Sequence, residues 1–257
     1  MENKVALVTG AAGGIGEAVV RVLAERGAIV AALDRDELRL NDVVDRMKAE
    51  GLTVRAFAVD VTSSNEVEAV VAQVEEDLGP LDYLVNAAGV LRLSEATVLT
   101  DADWALTFAV NTTGVFFVSR AVVNRMVTRC RGAVVTVASN AAGTARVEMS
   151  AYAASKAAAT MFTKCLGLEV ARYGIRCNLV APGSTDTPML AAMFQPGGPG
   201  PAASIRGNAD AYRVGIPLGR LAAPRNVADA VVFLLSDQAA HITMHDLTVD
   251  GGAALGV

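Results

Sequence analysis

The sequence contains few of the residues that bind metals or form disulfides. Two histidines and three cysteines occur among 257 residues, and neither His241 nor His245 has cysteines or an acidic cluster around it at metal-ligand spacing. The cysteines, Cys130, Cys165 and Cys177, are odd in number and widely spaced, which argues against a disulfide framework. Their apolar neighbours predict buried thiols in a reducing cytosol. We therefore expect no metal site.

Positive charge and long hydrophobic runs are also scarce. Lys and Arg number 22 against 27 Asp and Glu, for a net charge of -5, and the basic residues are too scattered to attract a phosphate backbone. No apolar run reaches the ~20 residues of a membrane span, and no signal-peptide core precedes Gly10. We expect a cytoplasmic protein that binds neither nucleic acid nor membranes.

Apolar residues are abundant, at 53% of the chain, and their pattern predicts an α/β fold. Short Val-, Ala- and Leu-rich runs alternate with longer amphipathic segments, which is typical of β-α-β units and a parallel sheet. We expect one Rossmann-type, doubly wound domain over residues 1–257 with a seven-stranded parallel sheet. The predicted strands are 5–9, 29–33, 54–59, 83–86, 133–138, 176–181 and 247–249, and the predicted helices include 17–26, 66–78, 103–130, 152–173 and 226–236.

One segment, residues 188–217, interrupts the alternation. It contains seven residues, 195–201, in which glycine and proline forbid a continuous helix. Long excursions from a compact domain are often functional loops. The sequence therefore predicts a substrate lid at 188–217.

A glycine-rich turn follows the first predicted strand and leads into a helix. It comprises Gly10, Gly14, Ile15 and Gly16, with small residues between them. Glycine lets the chain turn sharply and lets backbone N–H groups at a helix N-terminus approach a pyrophosphate. Because the turn lies between a strand and a helix, it predicts a dinucleotide site.

Asp34 ends the second predicted strand, 18 positions after Gly16. A carboxylate there accepts hydrogen bonds from an adenosine ribose and repels a 2'-phosphate. Arg35 is the counter-evidence, since a guanidinium beside Asp34 can hold a phosphate. The glycine-rich turn itself offers no Lys or Arg, so we expect NAD rather than NADP.

Tyr152 and Lys156 are four residues apart in a predicted helix, which places both side chains on one face. A phenol with a pKa of ~10 is a poor base at neutral pH, and a neighbouring ammonium favours the phenolate. Ser139 follows a predicted strand at the carboxyl edge of the sheet, where such folds place their active sites. Its hydroxyl is suited to hold a substrate oxygen.

These motifs together resemble the short-chain dehydrogenase/reductase family, and the resemblance covers nearly the whole chain. It implies that Tyr152 is the general base, Ser139 orients the reacting oxygen, Lys156 lowers the tyrosine pKa and binds the nicotinamide ribose, and Asn111 holds a water in a proton relay. It also implies a homotetramer. The cofactor-binding positions it implies, besides those of the glycine-rich turn, Asp34, Tyr152 and Lys156, are Asp60, Val61, Asn86, Pro182, Gly183, Thr185 and Thr187.

Five segments, which extend beyond the cofactor and catalytic positions, narrow the resemblance. They are residues 89–92, 135–140, 175–178, 182–187 and 241–245. They resemble members of the family that oxidise cyclohexadiene diol acids. This implies NAD-dependent conversion of 2,3-dihydro-2,3-dihydroxybenzoate to 2,3-dihydroxybenzoate for siderophore synthesis.

Two arginines support a carboxylic acid substrate. Arg92 follows the turn that ends the fourth strand, and Arg146 precedes Tyr152 by six residues in the loop from Ser139. A guanidinium matches a carboxylate bidentately. We expect Arg92, Arg146, Ser139 and Met149 to contact a small cyclic acid.

Three other functions stay open at this point. The first is the same reaction on trans-2,3-dihydro-3-hydroxyanthranilate, which keeps the carboxylate and the oxidised hydroxyl. The second is a 3-oxoacyl carrier-protein reductase, against which Asp34 and the acidic balance argue. The third is a non-catalytic nucleotide-sensing protein, which should have lost Tyr152 or Lys156.

Overall fold

A parallel seven-stranded sheet forms the centre of the computed structural model, which describes residues 1–194 and 200–256. The strands of the protein are β1 Val5–Thr9, β2 Ile29–Asp34, β3 Val54–Ala58, β4 Leu81–Asn86, β5 Gly132–Val137, β6 Ile175–Pro182, β7 Gly207–Asn208, β8 Arg213–Val214 and β9 Asp246–Val249. Those of the main sheet follow the order β3-β2-β1-β4-β5-β6-β9, in which the direction of the strand order reverses between β1 and β4, as in doubly wound folds. The predicted fold class is confirmed.

All seven strands of the main sheet were predicted, with ends that differ by one or two residues. The short strands β7 and β8 were not. They form a separate antiparallel pair within the predicted lid, and two-residue strands leave no periodic pattern in a sequence. Residues 195–199 of that segment lie outside the described residues.

The helices flank the sheet. Helix α2 lies where no helix was predicted, because charged residues dominate its sequence and hide a narrow buried stripe. The helices are α1 Gly14–Glu25, α2 Glu37–Ala49, α3 Ser64–Leu78, α4 Asp101–Phe108, α5 Val115–Arg129, α6 Ser150–Val170, α7 Pro188–Ala191, α8 Pro201–Arg206 and α9 Pro224–Leu235.

Helices α4 and α5 are joined by a π-helical turn at Ala109–Gly114 into one long helical segment. Asp101–Arg129 is long and apolar enough to cross a membrane, yet more than half of its most apolar window is buried inside the protein. A buried core helix of a soluble protein can have the same length and hydropathy. The π turn places Asn111 at zero exposure, and single π turns are frequent at functional sites.

Two hydrophobic clusters cover the two faces of the sheet. Alternate residues of β1 divide between them: Ala6 and Val8 belong to one cluster, and Val5 and Leu7 to the other. Alternation follows from the period of two in a strand. Because both faces are covered, the exposed groups of the sheet are confined to its edges and strand ends.

The prediction of buried cysteines is correct only for Cys177. Cys130 and Cys165 are exposed, since Cys130 ends α5 in a left-handed conformation with φ of 51° and Cys165 lies on the outer face of α6. Burial raises the pKa of the Cys177 thiol to about 12. Within the described ranges, no three His, Cys, Asp or Glu side chains come together as a metal site.

Candidate active site

A cleft of about 430 Å³ opens along the carboxyl ends of the strands. It runs from the turn between β1 and α1, past the ends of β2, β4, β5 and β6, to the segment after β6. Ligands of doubly wound folds bind at this edge of the sheet. The cleft brings most of the predicted site residues together.

The glycine-rich turn forms one wall of the cleft. Gly10 has φ of 70°, and a Cβ there would lie 2.7 Å from the Ala88 amide nitrogen. A Cβ on Gly16 would collide with the Gly10 carbonyl, and Gly14 has φ of 59° and starts α1. Ile15 packs against the core beside it. The turn is thus a cradle that side chains would fill, open to backbone approach by a diphosphate.

Asp34 lines the cleft at the end of β2. Its carboxylate accepts hydrogen bonds from the Ala12 and Asp36 amides, both at 3.0 Å, which fix its orientation. Arg35 and Arg39 also line the cleft. The Arg39 guanidinium lies 3.1 Å from where a Gly13 Cβ would stand. One carboxylate and two guanidinium groups therefore line the same part of the cleft. The carboxylate is suited to bind a ribose hydroxyl, and the guanidinium groups are suited to bind a 2'-phosphate.

Asp60 and Val61 line the cleft after β3. The Asp60 carboxylate accepts hydrogen bonds from the Thr62 amide at 2.9 Å and the Thr62 hydroxyl at 2.8 Å. Val61 packs on Gly114, where a Cβ would lie 2.9 Å from Val61 Cγ2. This loop therefore depends on the helix behind it for its position.

Asn86 was predicted to lie beside the cofactor, but its side chain is buried behind the cleft. Its amide donates to Ser119 at 3.0 Å and to Thr136 at 3.3 Å. Thr9 was not among the predicted site residues, and its hydroxyl accepts hydrogen bonds from the Ala87 and Ala88 amides at 3.1 and 3.2 Å. Its place at the end of a buried strand was the available signal. Both residues hold the turn that follows β4.

The segment after β6 forms the opposite wall. Pro182, Gly183, Thr185 and Thr187 all line the cleft. The Thr187 hydroxyl accepts a hydrogen bond from the Leu190 amide at 3.2 Å and so caps α7, and its Cγ2 lies 3.4 Å from a Cβ position on Gly14. The wall therefore approaches the glycine-rich turn closely.

Ser139 and Tyr152 both line the cleft. Ser139 is buried, and its hydroxyl accepts a hydrogen bond from the Ala141 amide at 3.1 Å. Burial raises the pKa of the Tyr152 phenol, while the Ser139 hydroxyl lowers it. In the protein alone, burial dominates, so the phenol needs further positive charge to serve as a base at neutral pH.

Lys156 supplies positive charge beneath the tyrosine. Its Nζ lies 5.9 Å from the centre of the Tyr152 ring and donates a hydrogen bond to the Val137 carbonyl at 2.9 Å. Burial lowers the pKa of Lys156 from 10.5 to about 8. A lysine held near its titration point can pass or retain a proton close to the phenol.

Asn111 joins three elements around this pair. Its side chain pairs with both backbone groups of Val90, accepting at 2.8 Å and donating at 2.9 Å, and it donates to Ser155 at 3.0 Å. Ser155 in turn donates to the Tyr152 carbonyl at 2.8 Å. In this structure Asn111 holds the loop after β4 against α6. The water-holding role stays a prediction.

The two predicted substrate arginines are placed differently. Arg146 and Met149 line the cleft. Arg92 does not: its Nε lies 3.4 Å from Asp103 Oδ1, in the first turn of α4, and half of its side chain is exposed. Its guanidinium pairs with the Asp103 carboxylate outside the cleft, and the neighbouring Leu91 lines the cleft instead. The expected position of Arg92 at the catalytic mouth is therefore corrected.

A second arginine that sequence reasoning missed, Arg213, lines the cleft together with Arg146. It lies on β8, in the segment that shows no periodic pattern. Its signal in the sequence is therefore weak.

The chain resembles known proteins along its whole length. A family model described as short chain dehydrogenase matches residues 4–196. The 2,3-dihydro-2,3-dihydroxybenzoate dehydrogenase of Bacillus subtilis (strain 168) is 53% identical over all of this chain and 98% of that protein. The Escherichia coli (strain K12) protein of the same name is 41% identical over 97% of this chain and 96% of that one. The solved structure of levodione reductase has 29% identity and a TM-score of 0.92, with full coverage of both chains.

Proposed function

Because this chain belongs to the short-chain dehydrogenase family, whose members use a nicotinamide cofactor, we propose that it oxidises 2,3-dihydro-2,3-dihydroxybenzoate to 2,3-dihydroxybenzoate with NAD as the acceptor. The observation that carries the proposal is the 53% identity to a dehydrogenase of that name, which extends over the whole chain. The proposal includes a single-domain enzyme of the cytoplasm that assembles as a homotetramer.

The cleft contains the groups that this oxidation requires. Tyr152, as phenolate, would take the proton of a ring hydroxyl that Ser139 orients, and Lys156 would compensate the phenolate charge. The bound nicotinamide would accept the hydride from the same carbon. The ring ketone formed in this way loses a proton from the neighbouring carbon and becomes aromatic, which favours the oxidative direction.

Two features support the cofactor. The glycine-rich turn and the segment after β6 face each other across a cleft shaped for a dinucleotide. Asp34, oriented by two backbone amides, is suited to accept hydrogen bonds from the ribose and to repel a 2'-phosphate. Arg35 and Arg39 oppose that preference, because a guanidinium can bind a 2'-phosphate. The Asp34→Ala variant tests which cofactor is preferred.

Product identification tests the proposed function. The full chain is incubated separately with 2,3-dihydro-2,3-dihydroxybenzoate, trans-2,3-dihydro-3-hydroxyanthranilate and a 3-oxoacyl thioester, each with NAD(H) or NADP(H), and the products are separated by chromatography. We expect 2,3-dihydroxybenzoate to form with the highest kcat/KM, and with NAD. A higher kcat/KM for trans-2,3-dihydro-3-hydroxyanthranilate or for the thioester would assign the chain to the reaction of that substrate. No turnover of any substrate, with NAD binding retained, would indicate a nucleotide-sensing protein.

A further inference from the structure

The short hairpin of β7 and β8 carries an arginine into the cleft on a tightly packed backbone. Gly207 has φ of 82°, and a Cβ there would lie 2.5 Å from the Arg213 carbonyl oxygen. A Cβ on Gly215 would collide with the Ile205 carbonyl, and the Ile216 amide donates to that same carbonyl at 2.9 Å. Because Gly207 packs against β8 and Gly215 packs against the end of α8 where a side chain would not fit, the backbone on either side of Arg213 is closely packed.

The side chain of Arg213 is fixed as well. One of its terminal nitrogens donates to the Ser184 hydroxyl at 2.9 Å. Ser184 follows Gly183 in the wall after β6, and both Ser184 and Arg213 line the cleft. Among the described residues this is the hydrogen bond of the Arg213 side chain, and a guanidinium has further N–H groups that can donate to a ligand. The guanidinium is thus attached to the wall that the segment after β6 forms.

Arg146 and Arg213 bring positive charge to the part of the cleft near the ends of β5 and β6. Burial lowers the pKa of Arg213, and the charge of Arg146 lowers it further. Over residues 1–194 and 200–256, neither guanidinium lies within salt-bridge distance of a carboxylate. The acids that line the cleft, Asp34, Asp36 and Asp60, lie at or just after the ends of β2 and β3. Two like charges brought together in a partly buried site favour an anion between them.

Three methionines also line the cleft. Met149 follows Arg146 by three residues, and Met189 and Met193 follow the wall after β6. Methionine adapts to flat or irregular apolar ligands. A planar ring with one carboxylate matches a site with an adaptable apolar wall and two guanidinium groups. A neutral alcohol would leave the two charges uncompensated.

We propose that Arg213 binds the carboxylate of the substrate together with Arg146, and that Ser184 is a positioning residue for Arg213. This inference rests on the proposed oxidation of a ring acid. It replaces Arg92 by Arg213 as the second cation of the carboxylate site and gives the hairpin of β7 and β8 a role in substrate selection.

Binding of the product acid tests the inference without turnover. We compare 2,3-dihydroxybenzoate with catechol, which has the same ring and hydroxyls and no carboxylate, by calorimetry on the full chain with NADH in phosphate-free buffer. The variants are Arg213→Gln, Arg213→Lys and Ser184→Ala. The matched control is Arg206→Gln, an exposed arginine of the same segment that does not line the cleft. Circular dichroism and NADH affinity show that each variant is folded.

We expect Arg213→Gln to weaken 2,3-dihydroxybenzoate binding about tenfold to hundredfold, the usual scale for a hydrogen bond to a charged group, and to leave catechol within about twofold. Arg213→Lys should recover part of the loss, because a point charge cannot bind both oxygens. Ser184→Ala should give a smaller loss of acid binding, and Arg206→Gln none. In turnover, the KM for the dihydro acid should rise more than kcat falls.

Equal losses of acid and catechol affinity in Arg213→Gln, or no loss of either, would overturn the inference. This result is distinct from failure of the proposed function. If the wild-type protein oxidises the dihydro acid and Arg213→Gln keeps its KM, only the role of Arg213 is refuted. If the wild-type protein does not oxidise the dihydro acid but Arg213→Gln still selectively loses ring-acid binding, the carboxylate site stands and the proposed reaction is refuted.

Discussion

Lys156 makes the stability of the protein depend on pH in a way that can be measured without substrate. Burial lowers its pKa from 10.5 to about 8. A shift of this size corresponds to about 3 kcal/mol, at ~1.36 kcal/mol per pKa unit. It is the free energy by which the folded chain disfavours the charged ammonium relative to the unfolded chain.

The sign follows from proton counting. Below pH 8 the lysine is charged in both states, so the full burial penalty lowers the free energy of unfolding. Between about pH 8 and 10.5, the folded chain releases the proton while the unfolded chain keeps it, so stability rises with pH. The rise is about 1.4 kcal/mol for each pH unit. Lys156→Met has no titrating group at this position, so this rise in stability with pH should be absent from the variant.

The assay is urea unfolding at pH 7 and pH 9.5, followed by circular dichroism. The free energy of unfolding of Lys156→Met minus that of wild type should fall by about 2 kcal/mol between the two pH values. Cys177, whose pKa burial raises to about 12, titrates in both proteins and cancels. Lys48→Met, at an exposed lysine, is the control and should show no change. A difference that stays constant with pH in Lys156→Met would refute the burial of this charge.

Three further predictions concern activity. Tyr152→Phe should abolish turnover and leave NAD affinity nearly intact, because the phenol transfers a proton; calorimetry and steady-state kinetics check this, and activity within tenfold of wild type would remove Tyr152 from the base role. Asp34→Ala should lower the ratio of kcat/KM for NAD over NADP, and an unchanged ratio would mean that another residue reads the ribose. Arg146→Ala should reduce kcat/KM for the ring acid roughly tenfold to hundredfold, with a much smaller effect on a neutral cyclic alcohol. Arg92→Ala should change kcat/KM only weakly for either substrate. A larger loss of ring-acid kcat/KM in Arg92→Ala than in Arg146→Ala would contradict the placement of the two arginines.

The main sheet was predictable because strands buried on both faces appear as continuous apolar runs between turn signals. Helix α2 was missed because only Leu40, Val43, Val44 and Met47 of it are buried, among charged neighbours. The cleft that contains Ser139, Tyr152 and Lys156 followed from motif spacing and from the rule that strand ends carry the site. For such motifs, local sequence order and spatial position agree.

The substrate end of the cleft was much less predictable. Arg92 is directed outward by one ion pair with Asp103, and no local pattern encodes a partner that a later helix supplies. Arg213 is far from Arg146 in sequence. The packing of a hairpin with two-residue strands brings it into the same cleft. Burial of Asn86 behind the turn is likewise a tertiary effect. Side-chain direction at loop positions depends on contacts that sequence order does not show.

Deuterium labelling follows the hydride that leaves the ring carbinol when the aromatic acid forms. The substrate is 2,3-dihydro-2,3-dihydroxybenzoate deuterated at both carbinol carbons, incubated with NAD and the full chain, with mass spectrometry of both products. We expect one deuterium in each NADH, unlabelled 2,3-dihydroxybenzoate in equal amount, and the second deuterium lost to water. NADH without deuterium, or an aromatic acid that forms without NADH, would contradict the proposed reaction.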